Sequence, residues 1–363
     1  LFLGTFMLVQ SGISVAAVIS LLLAGAGPVA LAAGITIPLM LGSVVSTWRL
    51  SKHGSDLVWN LPQPSWAGMA RLARDAGGSW MSGVGGRLTM SSNALLVSAA
   101  RGTPDDVIRF VCTSKLGDML MMQSWQVIDS GLVGYAQLHG EGRRERVRQI
   151  AVVMTRLALI GTGAVAIVIL GFNPALVAIW LGSDKFGGVG LNAATTGTLL
   201  GLTLVHVAST TAATVGYRVS VGAVNLVHGL CYAALAVGLG LWLGPLLGVA
   251  IAGGLSALVI GLPLLTKLQA AAIQLSWIDL VRIVWREWLP RAVLPMAGAA
   301  WLGLSQYGMR WEICAPATAA LGLCYAWLMR PMLSEVPLPP RLRMWTRYLG
   351  LIPHTAAQVP VQS

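Results

Sequence analysis

Apolar residues run in stretches of about twenty along almost the whole chain, and the charge falls between them. Residues 2–23 carry no charged side chain, nor do 157–183, 191–217, 219–266 and 292–309. A hydrocarbon layer about 30 Å thick takes about 20 apolar residues of helix to cross. Ten candidate spans follow, near 2–23, 29–49, 77–99, 104–136, 150–171, 191–215, 219–243, 246–267, 290–308 and 313–330. A buried core helix explains one such stretch and not ten. The pattern predicts an all-α polytopic membrane protein with about ten transmembrane helices.

Glycine and proline mark the turns. Gly25-Ala26-Gly27-Pro28 separates the first two spans, and Gly244-Pro245 the seventh from the eighth. Two stretches between spans have the period of surface-lying amphipathic helices. One is 66–75. The other is 277–289, with Ile278, Val281, Trp285 and Trp288 on one face. Tryptophan with arginine at this spacing suits a headgroup layer. After Arg330 the chain carries Pro-Leu-Pro-Pro at 337–340 and ends polar, which predicts a partly disordered tail over 331–363. The chain enters an apolar span at Leu1 with no basic n-region or cleavage motif. That reads as a missing N-terminus, not a signal peptide.

The net charge of +11 changes the picture only through its distribution. Basic residues sit in short clusters beside the ends of spans, as the positive-inside rule expects, which argues against nucleic-acid binding. With a cytoplasmic N-terminus, the cytoplasmic segments collect 18 of the 24 Lys and Arg residues, including Arg143, Arg144, Arg146 and Arg148. The opposite side has Arg101, Lys185 and Arg310. Both termini are therefore expected in the cytoplasm. Cys112, Cys231, Cys314 and Cys324 have no paired spacing and read as small packing residues. The glycines at 83–86 and 187–190 lack the strand and helix context of a phosphate loop. No catalytic residue, metal site or cofactor is expected, and the chain does not read as an enzyme.

The remaining three basic residues, Arg87, Arg109 and Lys115, lie in the third and fourth spans. A charge at mid-bilayer costs at least about 2.5–3.5 kcal/mol, so such a residue is expected to face a partner or a wet cavity. The fourth span opens with a capping signal: Thr103, Pro104, Asp105 and Asp106. Asp118 follows Thr103 by 15 residues, about 22 Å of helix, which puts it near mid-depth. Lys115 and Asp118 share a face, and Ser114, Gln123, Trp125, Gln126 and Asp129 make this span polar on one side. Arg87 lies about 15 Å into the adjacent antiparallel span, among Ser82, Thr89, Ser92 and Asn93, within reach of Asp118. Two readings stand side by side. One is a structural ion pair with hydroxyls packing helices. The other is a substrate-facing basic cavity, in which arginine holds phosphate through paired hydrogen bonds. The candidate substrate residues are Arg87, Asn93, Lys115, Asp118 and Gln123. The candidate coupling residues are Asp118, Asp129 and His228. His206 and His228 lie mid-span, where a histidine either bonds a neighbouring helix or relays protons.

The order of motifs resembles a family. GRLTMSSNALLVSAARGTPDDV from Gly86, GYAQLHGEGRRERVRQI at 134–150, IWLGSDKFGG at 179–188 and LGPLLGVAIAGGLSALV at 243–259 resemble successive elements of bacterial polysaccharide biosynthesis proteins. These are the lipid-linked oligosaccharide flippases of the multidrug/oligosaccharidyl-lipid/polysaccharide exporter superfamily. The resemblance covers about 51–330. The aspartate usual two residues after the arginine is here Thr89, and the family's twelve to fourteen helices exceed the ten counted here. The resemblance implies that 1–50 are the last two helices of a truncated N-terminal lobe. It makes 51–76 a cytoplasmic amphipathic linker and 77–330 a C-terminal transmembrane lobe. It further implies alternating access that moves an undecaprenyl-pyrophosphate-linked glycan across the bacterial inner membrane. The partners would be the lipid-linked glycan, membrane lipids and other polysaccharide assembly proteins. Energy would come from an ion or proton gradient or from the membrane potential.

Two competing functions are weighed on residues. A drug/cation antiporter of the same superfamily needs a coupling carboxylate, for which Asp118 and Asp129 qualify. A membrane glycan polymerase or glycosyltransferase needs a large outside loop with catalytic residues. The longest such loop, 172–190, offers only Asp184 and Lys185.

Overall fold

The computed structural model describes residues 28–53, 65–274, 277–305 and 310–334, with runs of two or three residues between 13 and 25. Most of the first expected span and most of the expected disordered tail lie outside the described residues. Every regular element among those described is helical. In order they are α1 (Pro28–His53), α2 (Trp66–Met90), α3 (Asn93–Ala99), α4 (Pro104–Gly140) and α5 (Arg144–Trp180). A 3-10 turn at Ser183–Lys185 leads to α6 (Val189–Ala212), α7 (Arg218–Leu243), α8 (Pro245–Ser256) and α9 (Leu262–Ile273). Then come α10 (Trp277–Arg282), α11 (Leu289–Leu304), α12 (Trp311–Leu328) and the short α13 (Arg330–Ser334). Three π-helical segments, Ala213–Tyr217, Ala257–Gly261 and Ile283–Trp288, join α6 to α7, α8 to α9 and α10 to α11.

Among the described residues, three helical stretches are long and apolar enough to cross a membrane: Arg144–Trp180, Val189–Leu243 and Pro245–Ile273. That is fewer than the ten spans the pattern predicts. The other expected spans among the described residues also form helices. The second stretch is bent in two. Gly216 has φ 108°, a conformation only glycine adopts freely, and Val215 beside it is non-helical. Across this bend Asn225 Nδ2 donates to Ser209 Oγ at 2.9 Å. In a straight helix those residues would stand about 24 Å apart, so the chain doubles back.

The chain divides into two units, Leu1–Leu72 and Ala73–Ser363. In the first, α1 exposes Ile37, Met40, Leu41, Val44 and Trp48. In the second, α5 is central and packs against α4, α6, α11 and α12. Tyr325 of α12 is fully buried there. Its hydroxyl accepts from Trp288 Nε1 at 3.0 Å and donates to the Ile160 carbonyl at 2.9 Å. Gly163 of α5 makes room for it, since a β-carbon there would stand 2.1 Å from that hydroxyl.

A second seam joins α2 to α7 through glycine. A β-carbon at Gly78 would lie 2.9 Å from Val219 Cα, and one at Gly85 2.1 Å from the Asn225 carbonyl oxygen. From the other side, Gly222 faces Gly78 and Gly229 faces Gly85 in the same way. Two glycine pairs, each seven residues apart, bring the backbones into contact, the small-residue packing used between apolar helices. The glycines at 83–86, unconvincing as a phosphate loop, thus include one half of a helix seam.

Three expectations about element boundaries need correction. The expected single span 77–99 is broken at Ser91 and Ser92 into α2 and α3. Thr89 Oγ1 bonds the Gly86 carbonyl at 3.0 Å and Ser92 Oγ bonds the Leu88 carbonyl. Such side-chain bonds compete with the helical ladder. The stretch 66–75 is not a separate surface helix but the first turns of α2. Likewise 277–289 runs straight into α11. Its faces also differ from the expected set: Trp288 is buried, while Ile278 and Trp285 are exposed on the opposite side with Arg282.

Candidate functional site

The site is built where α2 breaks. Here α3, α4, α6, α7 and α8 surround a cavity of about 30 Å³, room for a water molecule or two. Asp118, Ser114, Thr89, Asn93, Thr195 and Thr198 supply its polar lining, with Met90, Phe110, Met121 and Leu199 among the apolar walls. Among the described residues, Asp118 is the one carboxylate that lines it, and no lysine or arginine does.

Each lining group is placed by local chemistry. Thr103 and Asp106 form a reciprocal capping box that starts α4: Asp106 N–H donates to Thr103 Oγ1 at 3.2 Å and Thr103 N–H to the Asp106 carboxylate at 2.9 Å. This sets where α4 begins, and Ser114 and Asp118 fall on its cavity-facing side. The break after Met90 lets Asn93 approach α7, where its amide oxygen accepts from the Tyr232 hydroxyl. Thr198 Oγ1 donates to the Ala250 carbonyl at 2.9 Å, tying α6 to α8.

The structure gathers some of the expected residues and separates others. Asp118 and Asn93 line one cavity. Arg87, Lys115 and Gln123 are exposed and do not line it. Arg87 lies on the side of α2 turned away from Gly85, so the expected ion pair with Asp118 does not form. Two residues along a helix is a rotation of about 200°, and with Gly85 buried in the seam Arg87 must face outward. Arg109 instead pairs with Asp105 at 2.9 Å. His228 is buried and its Nε2 lies 3.3 Å from Ser256 Oγ.

Two clusters found no place in the sequence reading. His206 Nε2 lies 2.9 Å from Asp129 Oδ1, and its ring stacks on Trp125 with centroids 4.1 Å apart. Arg156 of α5 grips Glu287 with Nε and one terminal nitrogen, at 3.0 and 3.2 Å. The partners are 77 and 131 residues apart, so no local pattern announces them. A third network is buried between α4, α5 and α6: Asn173 Nδ2 donates to the Thr113 carbonyl and to Asn192 Oδ1, both at 2.8 Å. Near it, Lys185 pairs with Asp184 at 3.0 Å and with Asp105 at 3.5 Å. The hydrogen bond from Lys185 holds the Asp184 carboxyl below the usual range, and that carboxylate raises the Lys185 ammonium. The Arg156–Glu287 and Lys185–Asp105 pairs join segments far apart in the chain.

Comparison with protein-family models, with curated proteins and with solved structures gives no match.

Proposed function

We propose that this chain is a polytopic membrane transporter of the inner membrane, with both termini cytoplasmic. In this reading it moves a lipid-linked oligosaccharide by alternating access and breaks no bond. The observation that carries the transporter reading is the cavity around Asp118 at the broken helix α2–α3. Irregular backbone and an ionisable side chain inside apolar helices are expensive, and membrane transporters place them where a ligand or ion is handled. The substrate class rests on the motif resemblance alone. At about 30 Å³ the cavity admits no sugar, so the cycle requires this face to open. Arg87, exposed on α2, is then the group that would meet a pyrophosphate from outside the bundle.

One observation favours a second reading. The cavity holds a carboxylate and hydroxyls without a basic residue, which suits a cation. A drug/cation antiporter would use Asp118 in that way.

One experiment separates them. Arg87→Ala and Asp118→Asn are made in the full-length protein, and surface polysaccharide and resistance to cationic drugs are measured. The flippase reading expects Arg87→Ala to lower polysaccharide with the protein still in the membrane. Because Arg87 and Asp118 do not pair, adding Asp118→Ala should not restore it. Unchanged polysaccharide with lost drug resistance in Asp118→Asn would replace the flippase with the antiporter.

A further inference from the structure

Outside the cavity, Trp125 and Asp129 of α4 meet His206 of α6. We propose that these three side chains form a proton-binding site. One proton adds at His206 Nδ1, and the resulting imidazolium is held between the Asp129 carboxylate and the face of Trp125.

The geometry assigns each part. His206 Nε2 is 2.9 Å from Asp129 Oδ1, so Nε2 carries the hydrogen and donates it to the carboxylate. Nδ1 makes no hydrogen bond among the described residues, which leaves its lone pair to receive the proton. The Trp125 and His206 rings are parallel within 2°. An imidazolium in that position gains a cation–π attraction that a neutral ring does not. Trp125 is itself fixed, since its Nε1 donates to Thr203 Oγ1 at 3.3 Å. The imidazole is 16% exposed and the carboxylate 46%, so the ring is enclosed while its partner reaches the surface. With His206 neutral the pair carries one negative charge; with the proton bound it carries none. That neutralisation offsets part of the cost of charging an enclosed ring.

Several other titratable groups on the helices packed around α6 are engaged elsewhere. Arg156 pairs with Glu287, His228 bonds Ser256, Tyr232 bonds Asn93 and Asp118 lines the cavity. Among the described residues, neither Arg218 of α7 nor Lys267 of α9 comes within ion-pair distance of Asp129. Asp129 is thus the charge that acts on His206.

Use of this proton to drive transport rests on the transporter reading; proton uptake itself does not. The test is tryptophan fluorescence of the purified full chain, without substrate, titrated from pH 8 to pH 5. A stacked imidazolium quenches indole emission. The expected result is a one-proton quench that disappears in Trp125→Phe and in His206→Gln. In Asp129→Asn its midpoint should fall by about one pH unit or more, since an opposite charge at this distance favours the charged ring by that much. No difference between wild type and Trp125→Phe across the range overturns the proposal, whether or not His206→Gln folds. So does an unchanged quench in His206→Gln. A quench in a protein that exports nothing would keep the proton site and remove the transporter. Normal export without the quench would do the reverse.

Discussion

Gly85 of α2 lies so close to Asn225 of α7 that a β-carbon on it would stand 2.1 Å from the Asn225 carbonyl oxygen. The same Asn225 donates from its side chain to Ser82 on α2 at 2.7 Å and to Ser209 on α6 at 2.9 Å. Close backbone approach and a shared amide therefore lock three helices at one level. This seam holds the broken α2 in the place from which Thr89 and Asn93 reach the cavity.

Gly85→Ala should consequently lower the thermal midpoint of the detergent-solubilised protein. Overpacking of this kind costs about 1–3 kcal/mol. Gly83→Ala is the control, because a β-carbon there meets nothing within 4 Å. It should be neutral or slightly stabilising through helix propensity. Equal effects of the two changes would show that α2 and α7 do not touch at Gly85.

The Arg156–Glu287 pair ties α5 to the π-helical segment before α11. The side chains are 14% and 32% exposed. Glu287→Ala should destabilise by about 2–3 kcal/mol, less than for a fully buried pair because solvent screens part of the charge left behind. Replacing both partners by methionine should recover most of that loss. Denaturation of both single variants and the double variant measures the coupling. Strictly additive losses would mean that the pair contributes nothing.

Tyr325→Phe removes one hydroxyl that serves Trp288 and the Ile160 carbonyl at once. The Trp288 indole N–H then stays buried without a partner, which costs about 1–3 kcal/mol. The expected reading is a lower thermal midpoint with the protein still folded. A midpoint equal to wild type would place water or another acceptor at that N–H.

Topology is tested at the loop between α4 and α5. Arg144 is exposed and belongs to the basic cluster of the proposed cytoplasmic side. Arg144→Cys, in a chain lacking its four native cysteines, should resist an impermeant thiol reagent in intact cells and react after lysis. Labelling in intact cells would invert the proposed orientation.

Much of the local structure was legible in the chain. Thr103, Pro104 and Asp106 announced the start of α4, because capping depends on neighbours three residues apart. Gly244 and Pro245 announced the turn between α7 and α8 for the same reason, and Gly244 has φ 92°. Apolar runs gave the helical class and most helix positions, since burial of a helix in apolar surroundings acts on every residue along it.

What the sequence left open depended on helix rotation and on partners far away in the chain. Depth along a span is set by residue count, so Arg87 and Asp118 could be placed at similar levels. Whether they meet is set by which face each helix turns inward. The seam at Gly78, Gly85, Gly222 and Gly229 decides that for α2, by admitting backbone contact only on the glycine side, and Arg87 is carried outward. The break at Ser91 and Ser92 stayed hidden because serine inside a run can sit in a helix or interrupt it, and packing chooses. His206 met Asp129 only when α4 and α6 were laid together, 77 residues apart. The sequence by itself determined that the described segments are helical and where α4 and α8 begin. Tertiary structure decided which of their polar residues share a site, because that choice is made by contact between helices and leaves no trace in local spacing.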